Sequence, residues 1–212
     1  MHIEILVEDS SGAKLLEVLL PQLLGKNTWR IHPYKGIGKI PQGIGKKTDP
    51  AKRILLDQLP KLLRGYEKTP GIDAVVIVLD TDNRDCTTFL GELKVVADNQ
   101  NLLLKTMFRL AIAEIEAWYF GDQDALLAAY PRAKQDVMRT YVQDSVCDTW
   151  ELLADAVYMG GSMAIKKAGW PLPGQVKHEW AIKIAPLMDL DRNVSPSFCK
   201  FRDGLRQLCE EC

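Results

Sequence analysis

Ala74-Val75-Val76-Ile77-Val78-Leu79 runs directly into Asp80-Thr81-Asp82-Asn83-Arg84-Asp85. The apolar run has no polar face, is rich in β-branched residues and is too short for a typical helix. Those traits belong to a central strand covered on both faces of a parallel sheet. The acids begin where the strand runs out. The N-terminus repeats the arrangement, with Ile3-Glu4-Ile5-Leu6-Val7 leading into Glu8-Asp9. In open α/β sheets, ligands bind in the crevice outside the carboxyl ends of the strands. Glu8, Asp80 and Asp82 are therefore expected to meet at one sheet edge, although about seventy residues of chain separate the first from the others.

Carboxylates packed together repel one another, and their pKa values rise unless a cation neutralises them. A divalent ion is the simplest remedy. Hard oxygen ligands, with no Cys/His cluster beside them, favour Mg²⁺ or Mn²⁺ over zinc. Two further acids are candidates for the same edge. Asp85 either extends the site or caps the helix expected from about Thr87. Glu114, with Glu116 two residues on, follows the last strand; it either faces the crevice from a helix N-terminus, where the dipole favours its charge, or turns to solvent.

Working outward, Ile3 to Val7 is the first strand, and Ser10-Ser11-Gly12 opens a helix carrying Leu15, Leu16, Leu19, Leu20 and Leu23. Pro21 within that pattern is expected to kink or end it. A strand over Trp29–Tyr34, a helix from about Pro50 to Leu63, the Ala74 strand, a helix from Thr87 to Asn99 and a strand from Leu103 to Ala113 complete a βαβαβαβ order. That order implies an α/β fold with a mainly parallel sheet flanked by helices. Beyond Gly121 the pattern changes to helices and loops, with candidates over Asp122–Tyr130, Asp148–Tyr158, Trp180–Met188 and Ser197–Glu210. The expected division is an α/β core over residues 1–121 and a helical C-terminal extension over 122–212, packed on a flank of the sheet.

The chain has 212 residues, of which 47% are hydrophobic and 26% charged, with a formal net charge of −1. This is the composition of an ordinary globular protein. It lacks the bulk positive field of many nucleic-acid binders, so any contact with phosphate must be local. The Gly- and Lys-rich stretch Lys35 to Lys47 is one candidate, with Lys35, Lys39, Lys46 and Lys47 as phosphate contacts and glycines allowing close approach; a solvated loop is the alternative. It is not a nucleotide-binding P-loop, since Ile40 stands where the first glycine is required and Lys47 where the hydroxyl is required. No stretch is apolar enough to span a bilayer and no signal region opens the chain, so a cytoplasmic location is expected. Five irregularly spaced cysteines do not suggest a disulfide framework, and Cys209-Glu-Glu-Cys212 lacks two further ligands for a zinc site. His32 is expected to be a packed residue more readily than a ligand. Ser195 or Ser197 is expected to cap the last helix, and Arg192, Arg202 and Arg206 are candidates for phosphate contact.

Glu8 at the end of the first strand, with Asp80-x-Asp82 at the end of a later one, resembles the Toprim domain of topoisomerases, bacterial primases and the overcoming-lysogenization-defect nucleases. More closely, the chain resembles a bacterial family of Toprim-related proteins, the domain of unknown function numbered 4276. The residues carrying that likeness are Ile5-Leu6-Val7-Glu8, Ile31-His32-Pro33-Tyr34-Lys35-Gly36, Asp80 to Cys86, Arg109 to Asp122 and Asn193 to Phe198. The resemblance implies a Toprim-like, Rossmann-like sheet, with Glu8 as general acid or base and Asp80 and Asp82 holding Mg²⁺ during phosphodiester chemistry. One departure is that Asp9 stands where Toprim sequences usually place glycine. The function implied is a metal-dependent nuclease acting on DNA or RNA, often paired in phage defence with a partner ATPase, and a homo-oligomer is compatible with it. Two alternatives are a catalytically weak scaffold or nucleic-acid-binding subunit on the same fold, and a phosphatase of the haloacid dehalogenase type. The latter usually carries Asp-x-Asp on its first strand, followed by Gly and Thr or Val, whereas here the third strand carries it and Asn83-Arg84 follows.

Overall fold

The computed structural model describes residues 1–40, 54–145 and 148–210. Four strands, β1 (His2–Val7), β2 (Thr28–Pro33), β3 (Ala74–Asp80) and β4 (Lys105–Ala111), form an all-parallel sheet in the order β2-β1-β3-β4. Helices α1 (Ser10–Leu24), α2 (Leu55–Glu67) and α3 (Cys86–Asp98) are the crossovers. The fold is α/β, as the hydrophobic patterning implied. From β1 the chain builds outward to β2 on one side and to β3 and β4 on the other. The order therefore reverses between β1 and β3, the point at which the carboxyl edge of such a sheet opens a crevice.

The central strands are covered on both faces because alternate residues feed two cores. Ile3, Ile5, Val7, Val76 and Val78 pack with α1 and the C-terminal helices, while Leu6, Val75, Ile77 and Leu79 pack with α2 and α3. The first of these cores runs without interruption from the sheet into the extension. There the chain forms α4 (Ala117–Phe120), α5 (Gln123–Ala129), α6 (Gln135–Arg139), α7 (Thr149–Val157), α8 (Gly161–Ala168), α9 (Leu172–Ile184) with a 3₁₀ turn at Ala185–Leu187, and α10 (Pro196–Glu210). Trp118 and Trp180 are both at most 1% exposed within this shared core. The extension is thus packed on the sheet rather than on a core of its own.

Two sequence expectations are corrected: that Pro21 ends the first helix, and the bounds of the helix placed at Trp180. Helix α1 continues through Pro21 to Leu24. The proline sits on the exposed side in the last turn, where water can satisfy the carbonyl that loses its donor. The helix expected from Trp180 instead begins at Leu172 and stops at Ile184, and α6 and α8 had no sequence counterpart. The extension docks through close backbone approach: a Cβ on Gly121 would lie 2.0 Å from Asn193 Oδ1, and Val194 N donates to Gly121 O at 2.9 Å. Among the described residues, no helix is long and apolar enough to cross a membrane.

Candidate active site

The carboxyl ends of β1 and β3 bring Glu8 and Asp80 together. Residues Ile3–Val7 pair in register with Ala74–Val78, so Glu8 emerges opposite Leu79 and reaches the backbone of Asp80 one residue further on. The Asp80 backbone N–H donates to Glu8 Oε2 at 3.4 Å. Burial pushes the Glu8 carboxyl up to about 7, with the Asp82 and Asp9 charges adding to it and the Asp80 N–H opposing it. Asp80 is held well above the usual carboxylate range, first by burial and then by Glu8, Glu116 and Asp9.

Asp9 caps α1. Its carboxylate accepts from Gly12 N at 2.7 Å and Ser11 Oγ at 2.6 Å. The fit is close, since a Cβ on Gly12 would lie 2.9 Å from Val7 Cγ2. Asp9 therefore adds negative charge to the edge while its oxygens are already engaged.

The loops after β3 and β4 are stitched together. Ala113 N donates to Thr81 Oγ1 at 2.8 Å, and Asp82 N donates to Ala113 O at 2.8 Å. Asp82 and Ala113 both have positive φ, 48° and 60°. For Ala113 that conformation costs about 1 kcal/mol, and it turns the chain so that Glu114 and Glu116 come back over the edge. Asp82 is exposed and pairs with Arg84 at 3.0 Å; its charge still reaches Glu8.

Glu114 and Glu116 divide their duties. Glu114 Oε2 accepts from Trp150 N at 2.8 Å in the first turn of α7, whose own cap residue, Asp148, makes no side-chain capping bond. Burial pushes Glu114 up to about 7 against the pull of Lys177. Glu116, 2% exposed, is the acid whose charge is felt by Asp80. Its Oε2 has no hydrogen-bond partner. Lys177, reaching in from α9, lies 3.2 Å from Glu116 Oε1 and 3.7 Å from Glu114 Oε1. These carboxylates hold its ammonium firmly protonated, with Asp80 and Asp9 contributing.

Lys177 is the member of this cluster that the sequence reading missed. A signal existed: on α9, Val176, Trp180, Ala181 and Ile184 form the buried stripe. Lys177 stands three and four residues before Trp180 and Ala181, a position that an amphipathic helix gives to an apolar side chain. Starting the helix at Trp180 concealed it.

The other candidates fall elsewhere. Asp85 is the N-cap of α3, accepting from Thr88 N at 2.8 Å and Thr88 Oγ1 at 2.7 Å, so the capping alternative is the one the structure displays. Lys35 and Lys39 are exposed, and Gly36 N donates to the Glu8 carbonyl at 3.0 Å, which starts that segment beside the edge. Lys46 and Lys47 lie outside the described residues, as does Cys212. His32 hydrogen-bonds buried Glu4 away from the acid edge. Arg192 is paired with Asp122, Arg202 with Asp203 and the Leu190 carbonyl, and Arg206 with Asp191. Ser195 and Ser197 join a network on Asp144. The arginines and serines thus hold the extension together.

Among the described residues, no three His, Cys, Asp or Glu side chains already converge in metal-binding geometry. The donor chemistry of the edge nonetheless suits the Mg²⁺ or Mn²⁺ implied by the resemblance. Glu8, Asp80 and Asp82 offer only oxygen, the Asp82 charge raises the pKa of Glu8 and the Glu8 charge that of Asp80, and a cation there would relieve that repulsion. Compared with known proteins, the chain matches no family model, no curated protein and no solved structure.

Proposed function

We propose that this chain is a metal-dependent nuclease of Toprim type, hydrolysing phosphodiesters of DNA or RNA. The observation that carries the reading is the pairing of Glu8 with Asp80 at the reversal of strand order, both with raised pKa. Glu8, Asp80 and Asp82 would hold the Mg²⁺ or Mn²⁺. When bound, such an ion would supply charge neutralisation at the phosphate and lower the pKa of an attacking water. Glu8, whose carboxylate already meets the Asp80 backbone at 3.4 Å, is placed to serve as general acid or base beside the ion. Lys177 fixes the Glu116 carboxylate next to Asp80, and Lys35 and Lys39 offer charge to the phosphate backbone. Membership of the Toprim-related family, a partner ATPase in phage defence and assembly of copies belong to the same proposal.

A second reading, a Toprim-like scaffold with weak chemistry, is favoured by one observation. The Lys177 ammonium already sits among the acids and supplies part of the positive charge they need. The test of both is cleavage of plasmid, single-stranded DNA and total tRNA with Mg²⁺, Mn²⁺ or EDTA, alone and with the product of the neighbouring gene. Metal-dependent cutting that disappears in Glu8→Gln and in Asp80→Asn/Asp82→Asn supports the nuclease. Folded wild type that cuts nothing under any of these conditions supports the scaffold.

A further inference from the structure

The turn that follows β3 carries, besides Asp82, a guanidinium. Arg84 N donates to the Thr81 carbonyl at 2.9 Å, which closes the turn over residues 81–84. Arg84 Nη1 donates to Asp82 Oδ2 at 3.0 Å and, less closely, to the same Thr81 carbonyl at 3.4 Å. The guanidinium carbon lies 5.0 Å from the centroid of the Phe89 ring, within the range of a cation–π contact. Phe89 is buried in the core beneath α3, so its position is fixed. The ring therefore steadies the guanidinium at the acid edge whether or not Asp82 holds it.

Three observations give this pair a part in the site. Asp82 is turned toward Arg84, and among the described residues no three acids converge in metal-binding geometry; the third carboxylate of the expected set is the one that Arg84 holds. The Asp82 backbone is anchored by its N–H on Ala113 O at 2.8 Å, while its side chain is 52% exposed. Rotation of the side chain is thus enough to release it, with the turn left in place. Finally, the two cations that act on the acids differ. Lys177 is spent on Glu116 and Glu114, whereas Arg84 faces solvent, its charge reaches Glu8, and of its donors Nη1 alone is engaged in hydrogen bonds among the described residues. The planar fork of a guanidinium matches a phosphate, which can accept from two of its N–H groups at once.

We propose that Arg84 is the phosphate-binding residue of the site and that its pair with Asp82 is a latch: a substrate phosphodiester draws Arg84 away, and the freed Asp82 carboxylate turns to the metal ion. The latch deepens the nuclease reading and rests on it. Asp82 and Arg84 each give up the other to a ligand of opposite charge, Asp82 to a cation and Arg84 to a phosphate. Binding of either ligand therefore eases binding of the other, and the coupling is reciprocal. An exposed ion pair is weak, so the latch shifts the metal equilibrium severalfold rather than closing the site.

The test is Mn²⁺ binding at pH 8, read from the electron paramagnetic resonance of the free ion, to wild type, Arg84→Ala, Arg84→Lys, Asp82→Asn and the double variant Arg84→Ala/Asp82→Asn. Each is titrated alone, with a short phosphorothioate hairpin that carries a single-stranded tail and resists hydrolysis, and with the uncharged methylphosphonate counterpart, against blanks of strand without protein. Alone, Arg84→Ala should bind Mn²⁺ about threefold tighter than wild type. The charged hairpin should tighten Mn²⁺ binding about fivefold in wild type and much less in Arg84→Ala, and the uncharged one should change neither. Arg84→Lys keeps the charge on Asp82 without the fork, so it should bind Mn²⁺ as wild type does and lose most of the coupling. In the Asp82→Asn background, Arg84→Ala should leave Mn²⁺ affinity unchanged; tightening of equal size there would mean that the guanidinium acts by overall charge, and overturns the latch. Equal Mn²⁺ affinity in wild type and Arg84→Ala, or equal coupling in the two, also overturns it. Wild type that binds no Mn²⁺ overturns the latch and the nuclease together. Metal-dependent cutting without Arg84-dependent coupling removes the latch alone, and that coupling without cutting of any substrate removes the nuclease alone.

Discussion

Two acid-rich regions of this molecule differ in how their oxygens are used. In the extension, Asp122 accepts from Ala125 N, Asp189 N and the Arg192 guanidinium, and Asp144 accepts from Ser195 Oγ, Ser197 N and Ser197 Oγ. Both carboxylate oxygens of Asp122 and of Asp144 have a donor. At the carboxyl edge of the sheet, Glu8 takes one long bond from Asp80 N, Glu116 leaves a buried oxygen bare, and Asp80 is surrounded by like charge. A buried polar group without a partner is costly. Acids saturated by backbone donors hold structure together; acids left short of donors and crowded together are available to a ligand.

That contrast can be broken by mutation. The largest effect is expected in the saturated region: Asp122→Ala and Asp144→Ala, which each strand several donors, should each cost about 3 kcal/mol in urea unfolding. If either variant unfolds like wild type, those networks are not structural. Next comes Lys177→Met, which leaves Glu114 and Glu116 without their cation and should cost about 2 kcal/mol near pH 8. The loss should shrink near pH 5, where Glu114 is protonated.

The pH dependence sharpens the same point. Glu8 and Glu114 both rise from 4.5 to about 7, mainly through burial. A carboxyl with a raised folded pKa stabilises the fold fully below its unfolded value and loses that contribution as pH climbs through the folded one. In EDTA the Tm should therefore fall between pH 5 and pH 8. Glu8→Gln should flatten the slope, and Mg²⁺ or Mn²⁺ at pH 8 should restore Tm; a flat profile in wild type would argue against a frustrated edge. Asp80→Asn should change stability by less than about 1 kcal/mol, or raise it, because it removes a repelled charge. The smallest effect belongs to Asp85→Ala, which should lower Tm slightly through the lost cap of α3 while leaving metal-dependent Tm shifts intact. Loss of those shifts would return Asp85 to the site.

The strands and their acids were legible because both signals are local. A run such as Val75 to Leu79 is interpretable as a covered strand wherever it occurs, and the acids adjoin it in the chain. Asp85 was legible only as a choice, since a cap and a ligand have the same sequence; the hydrogen bonds to Thr88 decided it. Glu114 and Glu116 were legible as a pair, but Glu114 bonds Trp150 N and Glu116 faces Asp80, an allocation made by α7 and α9.

By itself, then, the sequence determined an α/β parallel sheet, acids at its carboxyl edge and a helical extension, because hydrophobic period and chain adjacency are properties of short segments. Only the tertiary structure decided that strand order reverses between β1 and β3, that Lys177 enters the acid cluster from α9, and that Asp9 caps α1. Each of these depends on which distant segments pack together, and the free energy of that packing is shared over a core that no single stretch of chain contains.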